Sequence, residues 1–232
     1  MSAQPLTVPR TARTRAFNPL AALSYVRAIA GESGVEQVLA RLPVEDRRAI
    51  GNGRARPGGM NPLTWIPFML QVRLLRAIDA VYGDGDLVLL RRVGHFMAKN
   101  DVLQVFAPLF RRRDPSWIMV AATRMWRHYH DHGHWKIARE PNGFLGVMEG
   151  HPESDEAFCT TLGGWIGGAL ELSGVSKVEV AHPVCDARGE EHCAFRVTWQ
   201  GPVETQVKLV AQDEVTPVRQ RIIARGDKIK PL

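Results

Sequence analysis

Apolar positions recur at helical spacing through the first 130 residues. Between Pro67 and Tyr82 they return every three or four residues, and Gly83 ends the pattern, as is typical of an amphipathic helix. Proline and acidic caps mark other helix starts. The further predicted helices are 19–30, ended by Gly31 or Gly34; 35–42, stopped by Pro43; one capped by Asp86 and running through Met97; Asp101–Phe110; and Pro115–Tyr129.

Beyond residue 134 the pattern becomes strand-like. Runs 135–139 and 143–148 flank a Pro-Asn-Gly turn, and runs 177–181 and 194–199 flank a short polar segment, so two hairpins are predicted. A helix from about Ser154 to Leu172 lies between them, and 207–210 is a candidate edge strand. This order predicts an α+β fold in which N-terminal helices pack on a small antiparallel sheet.

Length and charge set the domain boundaries. The 232 residues are 45% hydrophobic with net charge +6, which fits one domain, 18–200, between basic segments 1–17 and 201–232. Such segments either contact nucleic acid or an acidic partner, or are flexible and solvated. Nucleic acid is not favoured because no helix-turn-helix, zinc-finger or stacking motif accompanies the charge. No membrane span or signal-peptide block is present, so a cytoplasmic protein is expected.

All three cysteines lie in one stretch of the C-terminal half. They are Cys159, Cys185 and Cys193, and His182 precedes the second by three positions. Closing the second hairpin brings three of these residues together, while Cys159 arrives from the preceding helix. Three thiolates and an imidazole form a tetrahedral metal donor set. The alternative is that the cysteines are simply small buried apolar residues.

A family resemblance rests on this region. The run Cys159-Thr160-Thr161-Leu162-Gly163-Gly164-Trp165, Cys185, and the run from Gly189 to Phe195 resemble the 4-vinyl-reductase-type ligand-binding domain. That domain forms the sensor part of phenol- and xylene-responsive bacterial transcription activators. The resemblance implies a structural Zn²⁺ held by Cys159, His182, Cys185 and Cys193, with His182 where those sensors have an acidic residue.

The resemblance also extends to fold. Residues from about 20 to 200 are similar to a family of uncharacterised stand-alone bacterial proteins related to that domain, as carried by Leu63–Pro67, Gly94-His95, Trp126 and Gly163–Gly168. Related domains adopt an α+β ligand-binding fold that also occurs in nitric-oxide-sensing haem domains and in a Golgi-trafficking subunit. The resemblance therefore implies a ligand-binding fold of this kind.

Histidines and glycines offer further candidate sites. The segment 127–134 holds four histidines, of which His128 and His132 would share a helix face and could bind metal; helix-end histidines that favour the dipole are the alternative. His95 is a candidate haem ligand, but haem is disfavoured because a lone histidine beside apolar residues is usually a core residue. The glycines of 163–168 lack the spacing of a phosphate-binding loop and predict close helix packing.

These observations predict a non-enzymatic small-molecule-sensing or signalling adaptor domain. Its ligand would be a small hydrophobic or aromatic molecule in an apolar pocket, with output in signal transduction or transcription regulation through an unknown protein partner. A homodimer is expected. The alternatives are a tetrapyrrole-binding reductase or carrier, and a protein-interaction or assembly protein that uses its basic arms. The predicted pocket residues are Met125, Trp126, Phe144 and Trp165.

Overall fold

Helices dominate the N-terminal half of the protein. A computed structural model describes residues 11–55, 59–101 and 114–200. Its first helical element contains both predicted runs, which meet at a kink at Gly31, where the backbone is not helical and φ is +67°. The first four helices are α1 (Phe17–Ala40), α2 (Val44–Ile50), α3 (Phe68–Tyr82) and α4 (Val88–Asp101).

The predicted helix boundaries of α3 and α4 agree with the structure. The N–H of Gly83 donates to the carbonyl of Asp79 at the end of α3, and the Asp86 carboxylate accepts from the N–H of Val88 at the start of α4. The predicted helix Asp101–Phe110 lies outside the described residues apart from Asp101, which ends α4, and the candidate strand 207–210 lies wholly outside them.

Two further helices and a four-stranded antiparallel sheet make up the rest of the described residues. The strand order is β3–β4–β6–β5, so each predicted hairpin is present and β4 pairs with β6 to join them. The predicted α+β class is confirmed. The elements are α5 (Pro115–Tyr129), β3 (His134–Glu140), β4 (Gly143–Glu149), α6 (Glu156–Glu171), β5 (Ser176–Val184) and β6 (Cys193–Gln200).

The N-terminal basic segment enters the fold at residue 11. Strand β1 (Arg13–Arg15) pairs antiparallel with β2 (Trp65–Pro67), and Thr14 forms an isolated bridge with His130. The guanidinium of Arg13 donates to the Asp131 carboxylate at 2.7 Å. Thr14 is fully buried. The part of the predicted flexible arm that the structure describes is therefore a clamp across the ends of α3 and α5.

Two apolar cores meet at α6. One core fills the space among α1, α3 and α4, and the other lies between α6 and the sheet. A Cβ atom placed on Gly94 of α4 would lie 1.8 Å from the Thr161 carbonyl oxygen, and one on Gly164 of α6 would lie 2.1 Å from that of Arg91. The predicted close glycine packing is confirmed, and its partner is α4 of the same chain. Across the described residues, no helix combines the length and apolar character needed to cross a membrane.

Candidate functional site

The three cysteines and His182 converge on one point between α6 and the β5–β6 hairpin. One ligand atom from each residue lies within 4.8 Å of the others. The Sγ atom of Cys159 is 3.7 Å from that of Cys193 and 3.9 Å from that of Cys185. All three thiols are buried, so the cluster is a compact, closed donor set.

Local structure explains how each donor reaches this point. Cys159 lies in the first turn of α6, whose N-terminus is capped by the Asp155 carboxylate. The pairing of β5 with β6 shifts register between Ala181 and Val184, a span that contains His182 and Pro183. Cys185 follows β5, and Cys193 begins β6. The irregularity lets His182 join the cysteines.

The electrostatics of the cluster favour one thiolate. A hydrogen bond with Cys159 lowers the pKa of Cys193, and the same contact raises the pKa of Cys159. Burial raises the pKa of Cys185. The Nε2 atom of His182 is buried and has no hydrogen-bond partner in the described part of the chain. A cation at the centre would pair with this nitrogen and stabilise all three thiolates.

A separate cavity of about 110 Å³ lies between α5 and α6. Its walls are mainly aromatic rings and methionine or aliphatic side chains, with a few polar groups. It contacts α1, α3, α4 and β3 as well. The residues that line it are Asn18, Gln71, Met97, Ile118, Met119, Ala122, Thr123, Met125, Trp126, Tyr129, His130, Trp135, Phe158, Thr161, Leu162, Trp165 and Ile166.

His130 is the histidine on the cavity wall. Its ring stacks on Trp126 with centroids 4.0 Å apart, and burial lowers its pKa to about 3, so the imidazole is neutral near pH 7. The ring of His151, which is also buried, lies 6.5 Å away, and burial lowers its pKa too. The cavity therefore presents a neutral imidazole in an otherwise largely apolar wall.

The structure brings some of the predicted residues together and separates others. Met125, Trp126 and Trp165 line the cavity. Phe144 is buried elsewhere in the core, where its ring centroid is 6.1 Å from that of Trp199. Phe144 is therefore not among the residues that line this cavity.

The histidine interpretations also change. Helix α5 ends at Tyr129 because His130 has extended backbone and bridges to Thr14. His128 and His132 therefore do not share a helix face, and His132 instead contacts the Asp131 carboxylate. His95 is half-buried away from the cavity and bonds to Glu171 of α6 at 2.6 Å.

Sequence reasoning missed Asn18, Gln71 and His130 as cavity residues. Asn18 and His130 are 112 positions apart and meet only in the folded chain, where their side-chain nitrogens are 3.5 Å apart. Gln71 is a buried polar residue on the apolar face of α3. A polar residue at an apolar position of a strong helical pattern is the signal that identifies such a residue.

Comparisons with known proteins identify the fold. No family model matches the chain, and no curated protein is similar to it. Solved structures do match: an H-NOX protein from S. oneidensis in the Fe(II)NO state has TM-score 0.60 at 14% identity and covers 81% of this chain and 99% of its own. The chain has the H-NOX fold. An unliganded Fe(II) H-NOX protein from K. algicida gives TM-score 0.58 at 13% identity, covering 83% of this chain and 100% of its own.

These matches correct two predictions. The structural neighbours are H-NOX domains, including an oxygen-binding one (TM-score 0.54, 15% identity, 81% and 96% coverage), so the assignment to a 4-vinyl-reductase-type domain is wrong. The expected likeness to nitric-oxide-sensing haem domains is confirmed for the fold. The cofactor prediction, Zn²⁺ with haem disfavoured, is also wrong. One of the H-NOX neighbours was solved to probe haem distortion in that family, and none of the neighbours supports zinc.

The cavity meets one requirement of a haem site and lacks two. His130 supplies a buried neutral imidazole, the form that ligates iron. A volume of about 110 Å³ is far below the roughly 300–1,000 Å³ of pockets that enclose drug-sized ligands. Among the described lining residues there is no lysine or arginine to pair with propionates. The described lining therefore does not by itself form a complete haem site, and the ligand considered below is smaller.

Proposed function

We propose that this protein is a small-molecule-sensing domain whose ligand occupies the cavity between α5 and α6. The observation that carries the proposal is the largely apolar cavity itself, lined by aromatic and methionine side chains of several helices and the sheet. Apolar pockets with a few fixed polar groups are the usual form of small-molecule sites. The H-NOX neighbours in NO-bound and oxygen-bound states support ligands of small size.

The cavity volume bounds the ligand. A cavity of about 150 Å³ lined by aliphatic and aromatic residues stays dry and binds benzene or xenon. This cavity, at about 110 Å³, is of the same order. The ligand would thus be a diatomic gas or a neutral molecule of at most about six to seven heavy atoms.

Thermal stabilisation by xenon and benzene tests this function. Ligand-free protein should melt at a higher temperature in their presence, because they bind the folded state alone. Ala122→Phe places a ring in the cavity and should abolish the shift. Arg127→Ala, an exposed change on the same helix, should retain it. If neither probe stabilises the wild type, or if purified protein carries a stoichiometric Soret band, the proposal fails.

We also infer that Cys159, His182, Cys185 and Cys193 bind a metal ion that fastens α6 to the β5–β6 hairpin. The convergence of four nitrogen and sulfur donors within 4.8 Å supports it, as does the unpartnered Nε2 of His182. Soft thiolates with an imidazole select thiophilic transition metals over Mg²⁺ or Ca²⁺. The role would be structural, because four protein ligands leave no open position.

Elemental analysis of untagged protein tests the metal site. Wild type should hold about one equivalent of a transition metal. Cys193→Ala should lose it, while His192→Gln, which changes the adjacent histidine outside the cluster, should keep it. Wild type purified without chelator that holds no metal, and takes up none, would contradict the inference.

The remaining predictions of function stay predictions. Cytoplasmic location, a homodimer and a downstream protein partner rest on sequence alone, and the basic tail 201–232 lies outside the described residues. Nothing in the described ranges favours the reductase or assembly alternatives over ligand sensing.

A further inference from the structure

Two polar atoms on the cavity wall are buried without partners. The hydroxyls of Thr123 and Thr161 donate to backbone carbonyls at 2.9 and 2.8 Å, and the amide nitrogen of Asn18 donates to a threonine hydroxyl at 2.7 Å. By contrast, Oε1 of Gln71 and Nδ1 of His130 have no hydrogen-bond partner in the ranges that the structure describes. Gln71 is 2% exposed and His130 is 5% exposed.

The hydrogen bond from Asn18 fixes the proton on His130. The Asn18 side-chain nitrogen lies 3.5 Å from Nε2 of His130. An amide nitrogen only donates, so Nε2 accepts and the proton of the neutral ring sits on Nδ1. The cavity wall therefore carries one unused donor, His130 Nδ1–H, and one unused acceptor, Gln71 Oε1.

Gln71 and His130 both line the cavity, and Phe68 connects the helix turn that carries Gln71 with the ring of His130. Phe68 and Gln71 are three residues apart on α3 and share a helix face. The ring centroid of Phe68 is 6.4 Å from that of His130. We define the polar end of the cavity as Gln71, His130 and Asn18; most of the other lining side chains are apolar.

We propose that the ligand is a small apolar molecule with one hydroxyl group, which donates to Gln71 and accepts from His130. A hydroxyl is the smallest group that both donates and accepts, whereas a carbonyl or a hydrocarbon would leave one or both protein atoms unpaired. This inference rests on the proposed function and adds the ligand's chemical class to it.

The polar end also has a cost in the ligand-free protein. A buried acceptor without a partner destabilises the folded state, and replacing it by an apolar group of the same shape is neutral or stabilising. A structural glutamine would behave in the opposite way, because its loss would remove a hydrogen bond. The stability of Gln71→Met therefore shows whether Gln71 is a ligand-binding residue, whose loss stabilises the ligand-free protein, or a structural one, whose loss destabilises it.

The experiment compares cyclohexanol with methylcyclohexane, which differ by hydroxyl against methyl. Binding is measured by the fluorescence of Trp126, Trp135 and Trp165, which line the cavity. Wild type should bind the alcohol about ten- to a hundredfold more tightly. Gln71→Met should lose most of this preference and melt at a higher temperature without ligand. Thr161→Val, which removes a hydroxyl that is already bonded, should keep the preference.

Each outcome has one meaning. Equal affinity of wild type for both probes would overturn the hydroxyl assignment but leave the cavity as a ligand site. No binding of either probe, together with no stabilisation by xenon or benzene, would overturn the proposed function as well. A Gln71→Met protein that keeps the preference, or that melts at a lower temperature, would contradict the role of Gln71. His130→Phe provides the second test of the same preference if Gln71→Met does not fold.

Discussion

The cysteine cluster and the cavity, both in the described part of the protein, each carry unsatisfied polar atoms, and the two sites differ in shape. In the cysteine cluster four donors face one another within 4.8 Å. In the cavity two unpartnered atoms belong to residues that line a largely apolar space of about 110 Å³. Donors that surround one point suit a metal ion, whereas a few polar atoms in the wall of an apolar space suit a small molecule with one polar group and an apolar remainder. Geometry, more than residue type, distinguishes the two.

The two sites share α6. Cys159 belongs to the cluster, and its neighbour Phe158 lines the cavity and contacts the His130 ring at 5.6 Å between centroids. A change that moves the whole helix should therefore affect both sites, and a change at one site should leave the other intact. The predictions below use this difference.

Gly94→Ala should have the largest effect and disable both sites. The added methyl group would clash with the Thr161 carbonyl oxygen. A backbone atom cannot move away as the end of a flexible side chain can, so α4 and α6 would have to separate. We expect a loss of about 3 kcal/mol or more in the free energy of unfolding, with reduced metal content and reduced benzene stabilisation. His95→Gln, the next residue on α4, loses only a partly exposed contact and should cost less than about 0.5 kcal/mol. Urea unfolding measures both; a Gly94→Ala protein of wild-type stability would contradict the close helix crossing.

Acid should destabilise the protein through the cavity. Burial lowers the pKa of His130 to about 3 in the folded state, against about 6.5 when unfolded. As pH falls below 6.5, His130 is protonated in the unfolded chain but stays neutral in the folded chain. Protonation therefore favours the unfolded state, and the free energy of unfolding decreases. Between pH 7 and pH 5 this amounts to about 2 kcal/mol.

His130→Phe isolates that loss. The variant cannot take up the proton, so its stability should fall less steeply over the same range, and His151, whose pKa burial also lowers, accounts for part of the remaining slope. Urea unfolding at pH 7, 6 and 5 measures the difference. Equal slopes in the two proteins would mean that His130 protonates while folded.

A pair of helix-cap changes should give the smallest effects and separate the sites. Asp114 caps α5, accepting from the backbone N–H groups of Ser116 and Trp117, and Asp155 caps α6. Each change to alanine should cost about 1 kcal/mol. Asp114→Ala should weaken benzene stabilisation alone, while Asp155→Ala should also increase metal loss to a chelator, since Cys159 lies in the first turn of α6.

Asparagine at either position is the control for these caps. Asparagine caps as well as aspartate, so both sites should behave as in the wild type, although Asp155→Asn also weakens a contact with Arg76. Metal loss from Asp114→Ala as fast as from Asp155→Ala would show that the two sites are not separable.

The sequence predicts the cysteine cluster better than the cavity for a physical reason. Cys185 and Cys193 are brought together by a short hairpin connection, so spacing alone places them. The polar end of the cavity joins Asn18, Gln71 and His130, which no local rule connects. His130 was overlooked further because the histidines of 127–134 were interpreted through His128 and His132 on one helix face, whereas pairing with Thr14 gives His130 extended backbone and its ring is buried.

Two smaller elements illustrate the same limit. Strands β1 and β2 have three residues each, too few for an alternating pattern, and they were not predicted. Gly31 was expected as a helix end, and its non-helical backbone does separate two helical runs, but both runs pack against the same core and together form one kinked element. Local pattern thus gave the element types of the larger elements, and tertiary contacts decided their ends.

The N-terminal clamp has a consequence for the order in which the protein assembles. Strand β1 can pair with β2 once about fifty more residues have been synthesised, but the contact of Arg13 with Asp131 spans 118 positions. At a synthesis rate of roughly 5–20 residues per second, Asp131 is made about 6–24 s after Arg13, so the contact cannot form earlier. The Thr14–His130 bridge forms no earlier, so the polar end of the cavity is completed only after most of the N-terminal helical core can already have folded.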